Sequence, residues 1–239
     1  MKRTPTAELL DTDSGTAHEI VSSLRDLDRI NRWFGGISAS CTLASRVAQV
    51  TGLDRISLLE VAAGSGATPY AVQQRLRKDG VAIDLTLLDR ASSHLAAGRY
   101  TDRNNGRAEI PPRLVVGDAL KLPFRDGSFD VVSCNLFIHH LDPEPLAQFV
   151  NDALRVSRHA VLINDLSRSW LHLGVAYAGL PLFRSRITWH DAPASVEQAY
   201  TLDEMRRLLN HSNAAQVEIG SHYLFRIGAI AWKTRPGKA

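Results

Sequence analysis

The sequence predicts an α/β fold, a doubly wound sheet of seven strands, mostly parallel, with a helical cap at the N-terminus and an antiparallel C-terminal strand. Three observations carry this expectation. Short, nearly continuous apolar runs alternate with helical stretches about five times along the chain, the texture of strands buried on both faces by crossover helices. A segment of small residues, Ala63-Gly64-Ser65-Gly66, joins the first such run to the helix after it. The last two apolar runs are separated only by a short turn, which suffices for antiparallel pairing but not for a parallel crossover.

The elements follow in order. Met1 to about Gly15 is polar and reads as a loose tail. From His18 the spacing of Ile20, Leu24, Leu27 and Ile30 is helical, with apolar residues three or four apart. Gly35-Gly36 interrupts that pattern, and a second one runs from Ser38 through Leu43, Val47 and Val50 to a stop at Gly52. Residues 1–52 are thus expected to form a tail and helical cap, and residues 53–239 the main domain. In that domain Ile56–Ala62 is the first strand and Ala67–Lys78 the first helix, ended by Asp79-Gly80. Ile83–Asp89 is the second strand, and Ala91 to about Arg103 a helix. Arg113–Val116 is a third strand ending at Gly117-Asp118, and Phe129–Phe137 a central one, nearly all apolar and β-prone. Pro143–Val156 reads as a helix and Ala160–Asn164 as a strand. Asp165 to Tyr200 is long and irregular, and long insertions in compact domains tend to be lids or substrate walls. Leu202–Leu209 is helical, and Val217–Ile219 and Tyr223–Ala231 are the closing strands. With no linker, repeat or low-complexity segment, the chain is expected to be one structural unit with a substrate-lid insertion at about 165–200.

Composition bounds the function. At 239 residues the chain can bury a core without covalent staples. Its two cysteines, Cys41 and Cys134, are too few for a disulfide scaffold or a zinc cluster and read as buried thiols. No stretch reaches the ~20 apolar residues that span a bilayer, and Met1–Asp13 lacks the apolar run of a signal peptide. The expected location is the cytoplasm. A net charge of +3, from scattered Lys and Arg without interleaved aromatics, does not describe a nucleic-acid protein.

Chemistry concentrates at strand ends. Glu60-Val61-Ala62-Ala63-Gly64-Ser65-Gly66 closes the first strand immediately before a helix. Ligands of doubly wound sheets bind there, beside free helical N–H groups and backbone that glycine leaves open to close approach. A structural tight turn explains a two-glycine loop equally well. Asp89 ends the second strand, 23 positions after Gly66, where a carboxylate can accept both hydroxyls of a ribose. At the end of the third strand Asp118 can accept from an exocyclic adenine amine, while the N–H of Ala119 reaches a ring nitrogen.

These segments, with Leu122-Pro123-Phe124, Phe129-Asp130 and the helix from Leu141 to Arg155, resemble the class I S-adenosylmethionine-dependent methyltransferases. The likeness is to their small-molecule, quinone-biosynthesis-like branch and covers about Asp54 to Ile163. It implies a Rossmann-like methyltransferase fold and S-adenosyl-L-methionine as cofactor. It also implies roles: Glu60 and the backbone of Gly64 and Gly66 for the methionine portion, Asp89 for the ribose, and Arg90 beside the adenine. Asp118 and Ala119 would address the adenine edge, and Asn135 would meet the methionine end by its backbone. The family loop usually carries glycine where this chain has Ala62. Arg32, in a segment similar to the helical cap of some members, could pair with the cofactor's carboxylate or a substrate anion. A surface arginine on an amphipathic helix explains it as well.

Methyl transfer needs alignment, exclusion of water and, for a protonated oxygen, a base. His139 and His140, after the fourth strand, are base candidates, one of them a structural residue holding the turn. His190, beside Asp191 in the insertion, is another. The aromatics Trp170, Tyr177, Phe183, Trp189 and Tyr200 suggest a pocket for a flat or greasy acceptor, with Arg168, Arg184 and Arg186 to meet an anion. Alternatively, they pack inward between helices. No clustered ligand set argues for a metal. The expected function is methyl transfer to a small-molecule acceptor, O-methylation of a phenolic or polyketide-like compound of secondary metabolism. C-methylation of a quinone precursor, or a degenerate fold acting as a binding protein, are the alternatives. A nicotinamide dehydrogenase would need a third glycine, which Gly64-Ser65-Gly66-Ala67-Thr68-Pro69 lacks. Nucleic-acid methylation is a further alternative, opposed by Asn135-Leu136-Phe137-Ile138, which is no Asn-Pro-Pro-Tyr-like tetrapeptide, and by the lack of an added basic domain. Partners would be the acceptor alone, with no nucleic acid and no membrane span, for a monomer or homodimer.

Overall fold

A computed structural model describes residues 1–12, 14–98, 100 and 111–236. Seven strands form one sheet: β1 (Arg55–Val61), β2 (Ala82–Asp89), β3 (Arg113–Val116), β4 (Phe129–Asn135), β5 (Ser157–Leu166), β6 (Gln216–His222) and β7 (Arg226–Trp232). Their spatial order is β3-β2-β1-β4-β5-β7-β6. The first five are parallel, and β7 runs antiparallel to both β5 and β6. The chain therefore reverses direction across the sheet between β1 and β4, and the crevice beyond that point is where such sheets bind ligands.

The helices are α1 (Ala17–Trp33), α2 (Gly36–Thr51), α3 (Ala67–Lys78), α4 (Ser92–Ala96), α5 (Pro143–Val156), α6 (Trp170–Gly179), α7 (Arg186–Gln198) and α8 (Leu202–Asn210). α1 starts at a capping box, Thr16 with Glu19, and α8 at another, Thr201 with Glu204, each satisfying N–H groups the first turn leaves open. Gly52, with φ 70°, ends α2 in the left-handed region that a glycine enters freely. Alternate residues of β1 feed two apolar layers. Leu59 and Val61 pack toward Phe149 and Met205, and Ile56 and Leu58 toward Val47 and Leu76. Both faces of the sheet's centre are thereby buried.

Several sequence expectations change. The stretch from Asp165 to Tyr200 is not irregular: the end of β5, α6, a 3-10 turn (Leu180–Leu182) and α7 fill it. The helix expected from Ala91 to Arg103 is only the short α4, and Arg99 and residues 101–103 lie outside the described residues. β4 ends at Asn135 rather than Phe137, because Leu136 turns into the left-handed region at φ 53°.

The largest correction concerns the N-terminus. Residues 1–12 are a docked strap, not a loose tail. Arg3 donates to the carbonyls of Gln198, His139 and Leu141 and pairs with Asp142. The backbone N–H groups of Leu9 and Leu10 donate to the Asp191 carboxylate at 2.9 and 3.0 Å. Glu8 is buried and accepts from Ser195 Oγ and Gln198 Nε2. A polar segment is held because its polar groups find partners rather than water. Among the described residues no helix is long and apolar enough to cross a membrane. Cys41 and Cys134 are free and buried.

Candidate active site

A cavity of about 470 Å³ lies beyond the carboxyl ends of β1, β2 and β4, within the range of small-molecule sites. Its floor is the loop after β1, and its roof comes from α1, α6 and the N-terminal strap.

The floor is built from left-handed backbone. Ala62, Gly64 and Gly66 have φ of 52°, 54° and 67°. Gly66 is fixed twice over, by this φ and because a Cβ there would come 2.3 Å from Leu87 Cδ1. It packs beneath the loop, while Ala62, Gly64 and Ser65 line the cavity. Ala62 holds its conformation without a glycine's freedom, which costs about 1–2 kcal/mol.

Glu60 is 1% exposed. Its Oε1 accepts from Asn135 Nδ2 at 2.7 Å, and its Oε2 has no hydrogen-bond partner among the described residues. Burial raises its pKa to about 7, against the lowering effect of the Asn135 amide. Asn135 is held in turn: its Oδ1 accepts from Ser40 Oγ at 2.6 Å and Asn164 Nδ2 at 2.9 Å. Thus α2, β4 and β5 fix one carboxylate. Asp89, also buried, accepts from Gly64 N at 2.7 Å and Ala91 N at 2.9 Å, which locks the second strand end to the glycine loop. Arg90, Asp118 and Ala119 line the same cavity, and Asp118 is steadied by Leu120 N at 2.9 Å. Arg32 does not line it, although its neighbours Asn31 and Trp33 do.

The two adjacent histidines differ. His139 is buried, with Nδ1 2.6 Å from Asp165 Oδ1 and Nε2 3.4 Å from Glu8 Oε1. Burial alone would lower its pKa, but the two carboxylates raise it to about 10. It is an imidazolium at neutral pH and cannot take a proton. His140 is partly open, with Nδ1 2.8 Å from Asp11 Oδ2 and Nε2 3.9 Å from Glu8 Oε2. Burial would raise the pKa of Asp11, yet the His140 hydrogen bond and charge leave it lowered. His190 lies outside the cavity, bonded to Asp191 at 2.7 Å on the side of α7 that anchors the strap.

The fold also gathers what sequence spacing hides. Glu8, His139 and His140 bring one ligand-type atom each within 4.8 Å of one another, although the sequence shows no clustered metal ligands. A cation there would have to displace a proton from His139, whose pKa the two neighbouring carboxylates raise.

The aromatic pocket expected from the insertion is largely absent. Trp170, Tyr177 and Trp189 are exposed, and Tyr200 is buried with its hydroxyl on the Leu141 carbonyl at 2.6 Å. Phe183 lines the cavity, with His172 and the aliphatic Val175 and Ala176. None of Arg168, Arg184 and Arg186 lines it. Arg168 is spent on Glu204 and the Ala199 carbonyl, and Arg186 pairs with Glu19. Besides Arg90, a second arginine reaches the cavity: Arg226, which was not singled out from sequence. A charged residue inside the apolar run from Tyr223 to Ala231 was its only signal.

Comparisons with known proteins agree with this geometry. The family profile described as "Methyltransferase domain" matches residues 59–162. No curated protein sequence matches the chain. Among solved structures, it is similar to the plantazolicin methyltransferase BpumL in complex with a desmethylPZN analog and SAH. There the TM-score is 0.60 and the identity 14%, over 92% of this chain and 100% of that one. Human N-acetylserotonin methyltransferase in complex with SAM gives a TM-score of 0.66 at 12% identity, over 97% of this chain and 61% of that one. A putative methyltransferase from Bacillus halodurans gives 0.51 at 19% identity, over 80% and 98%. At these identities the structures speak for the fold, and the profile match speaks for the segment from the end of β1 into β5. Residues 59–162 match the methyltransferase-domain family, and the chain shares its fold with methyltransferases whose structures hold SAH or SAM.

Proposed function

We propose that the cavity transfers a methyl group to an oxygen of a small-molecule phenolic or polyketide-like acceptor, with His140 as general base. One observation supports this most: a single cavity joins the buried Glu60 to the carboxylate-held histidines. The unpartnered Glu60 Oε2 fits a cationic amine, and the left-handed loop leaves backbone free to meet polar ligand atoms. Glu60 with Gly64, Asp89 and Asp118 would hold the methionine, ribose and adenine portions of the cofactor. When bound, the cofactor supplies an electrophilic methyl group on a sulfonium, so the protein's part is alignment and water exclusion. Leu27, Val175, Ala176 and Phe183 form an apolar wall for the acceptor and keep water out. The insertion that carries α6 and α7 serves as the substrate lid.

His140 takes the acceptor's hydroxyl proton, since an imidazole nitrogen can accept one and this ring borders the cavity. Asp11 and Glu8 orient it and stabilise the cation formed. His139 is a positioning residue, pinned by Asp165, that holds the turn after β4. A base so placed favours oxygen over carbon as the methylated atom, because an acidic hydroxyl must lose its proton to react well.

Calorimetric titration with S-adenosylhomocysteine, with NADH as control, tests the cofactor assignment. Wild type should bind the former and not the latter. Asp89→Ala should weaken binding about tenfold or more, as hydrogen bonds to a charged group contribute ~1.5–3 kcal/mol each. His140→Ala should leave that affinity intact and lower turnover of a phenolic acceptor ~10²–10⁴-fold. Unchanged turnover in His140→Ala would remove it as the base.

A further inference from the structure

The end of the cavity over β5 and β7 carries a charge that the cofactor residues leave unanswered. Arg226 opens β7, lines the cavity and is 1% exposed. Its Nη2 donates to Asn31 Oδ1 at 2.9 Å, while Nε and Nη1 are buried without a hydrogen-bond partner among the described residues. Asp165, the acid that acts on it through space, is already bonded to His139 Nδ1 at 2.6 Å and to Leu166 N. Burial lowers the guanidinium pKa to about 10, which still leaves it charged at neutral pH. A buried cation with a neutral amide as its one hydrogen-bond partner is destabilising, so its place here calls for an anion that arrives with a ligand.

The surroundings are adapted to hold it. Leu224 and Phe225, immediately before Arg226, both sit in the left-handed region at φ 49° and 66°, strain of the kind found at ligand sites. His172 stacks on Phe225, with ring centroids 4.7 Å apart. At Gly36 a Cβ would fall 2.3 Å from Asn31 Oδ1 and 3.2 Å from Arg226 Nη2, so a glycine there makes room for the pair.

Position identifies the source of the anion. Asp89 and Asp118 stand at the ends of β2 and β3, on the other side of β1. β7 lies two strands beyond β4, roughly 10 Å away at strand spacing. Leu166, the register partner of Arg226, directly follows the Asp165 that pins His139. Arg226 therefore sits at the end of the cavity away from Asp89 and Asp118, within electrostatic reach of His172.

We infer that Arg226 receives a carboxylate of the acceptor, so that the substrate class is hydroxylated aromatic acids rather than neutral phenols. This rests on the assignment of the cavity to methyl transfer. The cofactor's own amino-acid carboxylate is the competing source of the same chemistry.

The experiment is calorimetric titration of the full chain, saturated with S-adenosylhomocysteine, with 4-hydroxybenzoate and with 4-hydroxybenzamide, which match in size and differ in charge. Wild type should bind the acid at least about tenfold more tightly than the amide, since a charge-assisted contact is made only by the acid. In Arg226→Met that preference should vanish with unchanged affinity for S-adenosylhomocysteine. Arg226→Lys, which keeps the charge, should retain part of it. Equal binding of acid and amide by wild type overturns the inference without any variant. So does a preference that survives in Arg226→Met. If Arg226→Met loses affinity for S-adenosylhomocysteine but not for 5′-methylthioadenosine, the carboxylate is the cofactor's and the acceptor assignment falls. Failure of wild type to bind S-adenosylhomocysteine would instead bring down the underlying reading of the cavity.

Discussion

Glu60 couples the site to protons. Its carboxyl, buried with one unpartnered oxygen, has its pKa raised to about 7 from the ordinary 4.5. A folded-state pKa above the unfolded one means that its contribution to stability is fully present below about pH 4.5 and lost as pH rises through 7. A cationic amine placed against Oε2 reverses the balance and favours the ionised form. Binding of S-adenosylhomocysteine at pH 6 should therefore release a proton, visible as a dependence of the calorimetric enthalpy on the buffer's ionisation enthalpy. Glu60→Gln should abolish that dependence, and a wild type that binds with no proton release would show that Glu60 does not meet the amine. Ala62 poses a smaller question two residues on. Its φ of 52° costs about 1–2 kcal/mol in a non-glycine residue, and glycine would return part of that to the unfolded chain's entropy. Ala62→Gly should accordingly raise the melting temperature by ~1–3 °C, given ~2–4 °C per kcal/mol at this size. A lower melting temperature would mean that the alanine methyl packs usefully on the loop.

At the scale of elements, legibility follows the range of the forces involved. β1, its glycine loop, α3 and the acidic end of β2 could be read because their signals are local: an apolar run, small residues, a helical period, an aspartate. α6 and α7 were read as an irregular insertion, with a helix pair as the alternative, for a physical reason. α6 is apolar on nearly every side, and Leu173 is its one buried residue, so its sequence shows no amphipathic stripe to count. Its exposed Trp170, Leu171 and Tyr177 also explain why the aromatic content of the insertion did not become an aromatic pocket. The strap was illegible from its own residues, because its stabilising bonds join positions far apart in sequence, Arg3 to His139 and Leu9 to Asp191. Glu8 and Asp11 consequently escaped notice as site residues. So did Arg226, whose meaning depends on Asn31 and Gly36 from the opposite end of the chain.

On the scale of the whole molecule, this division of forces implies a gradient of stability. The central strands β1, β4, β5 and β7 are buried on both faces, and their amides open only with global unfolding. The strap, by contrast, rests on hydrogen bonds, one buried carboxylate and the packing of Leu9 and Leu10 against the small cluster of Ile20, Leu24 and Ile187. Yet it crosses from Asp142 to α7 and places Glu8 and Asp11 on the two histidines. Removing residues 2–11 should leave the sheet intact and loosen what the strap ties down. Hydrogen exchange followed by mass spectrometry should then show faster exchange in α7 and in the turn from Ile138 to His140, with protection in β1, β4 and β5 unchanged. Asp191 gives the reason for α7: it is buried, and its carboxylate accepts two strap N–H groups that the deletion removes. A buried acceptor left with His190 alone in place of three partners destabilises its surroundings by about 1–3 kcal/mol, which corresponds to roughly tenfold or more in local exchange where opening is local. Equal acceleration across the sheet would mean that the strap is part of the global core. No acceleration in α7 would mean that the helix is held by the packing of Ile187 and Val196 alone, leaving the strap to act only on the histidines.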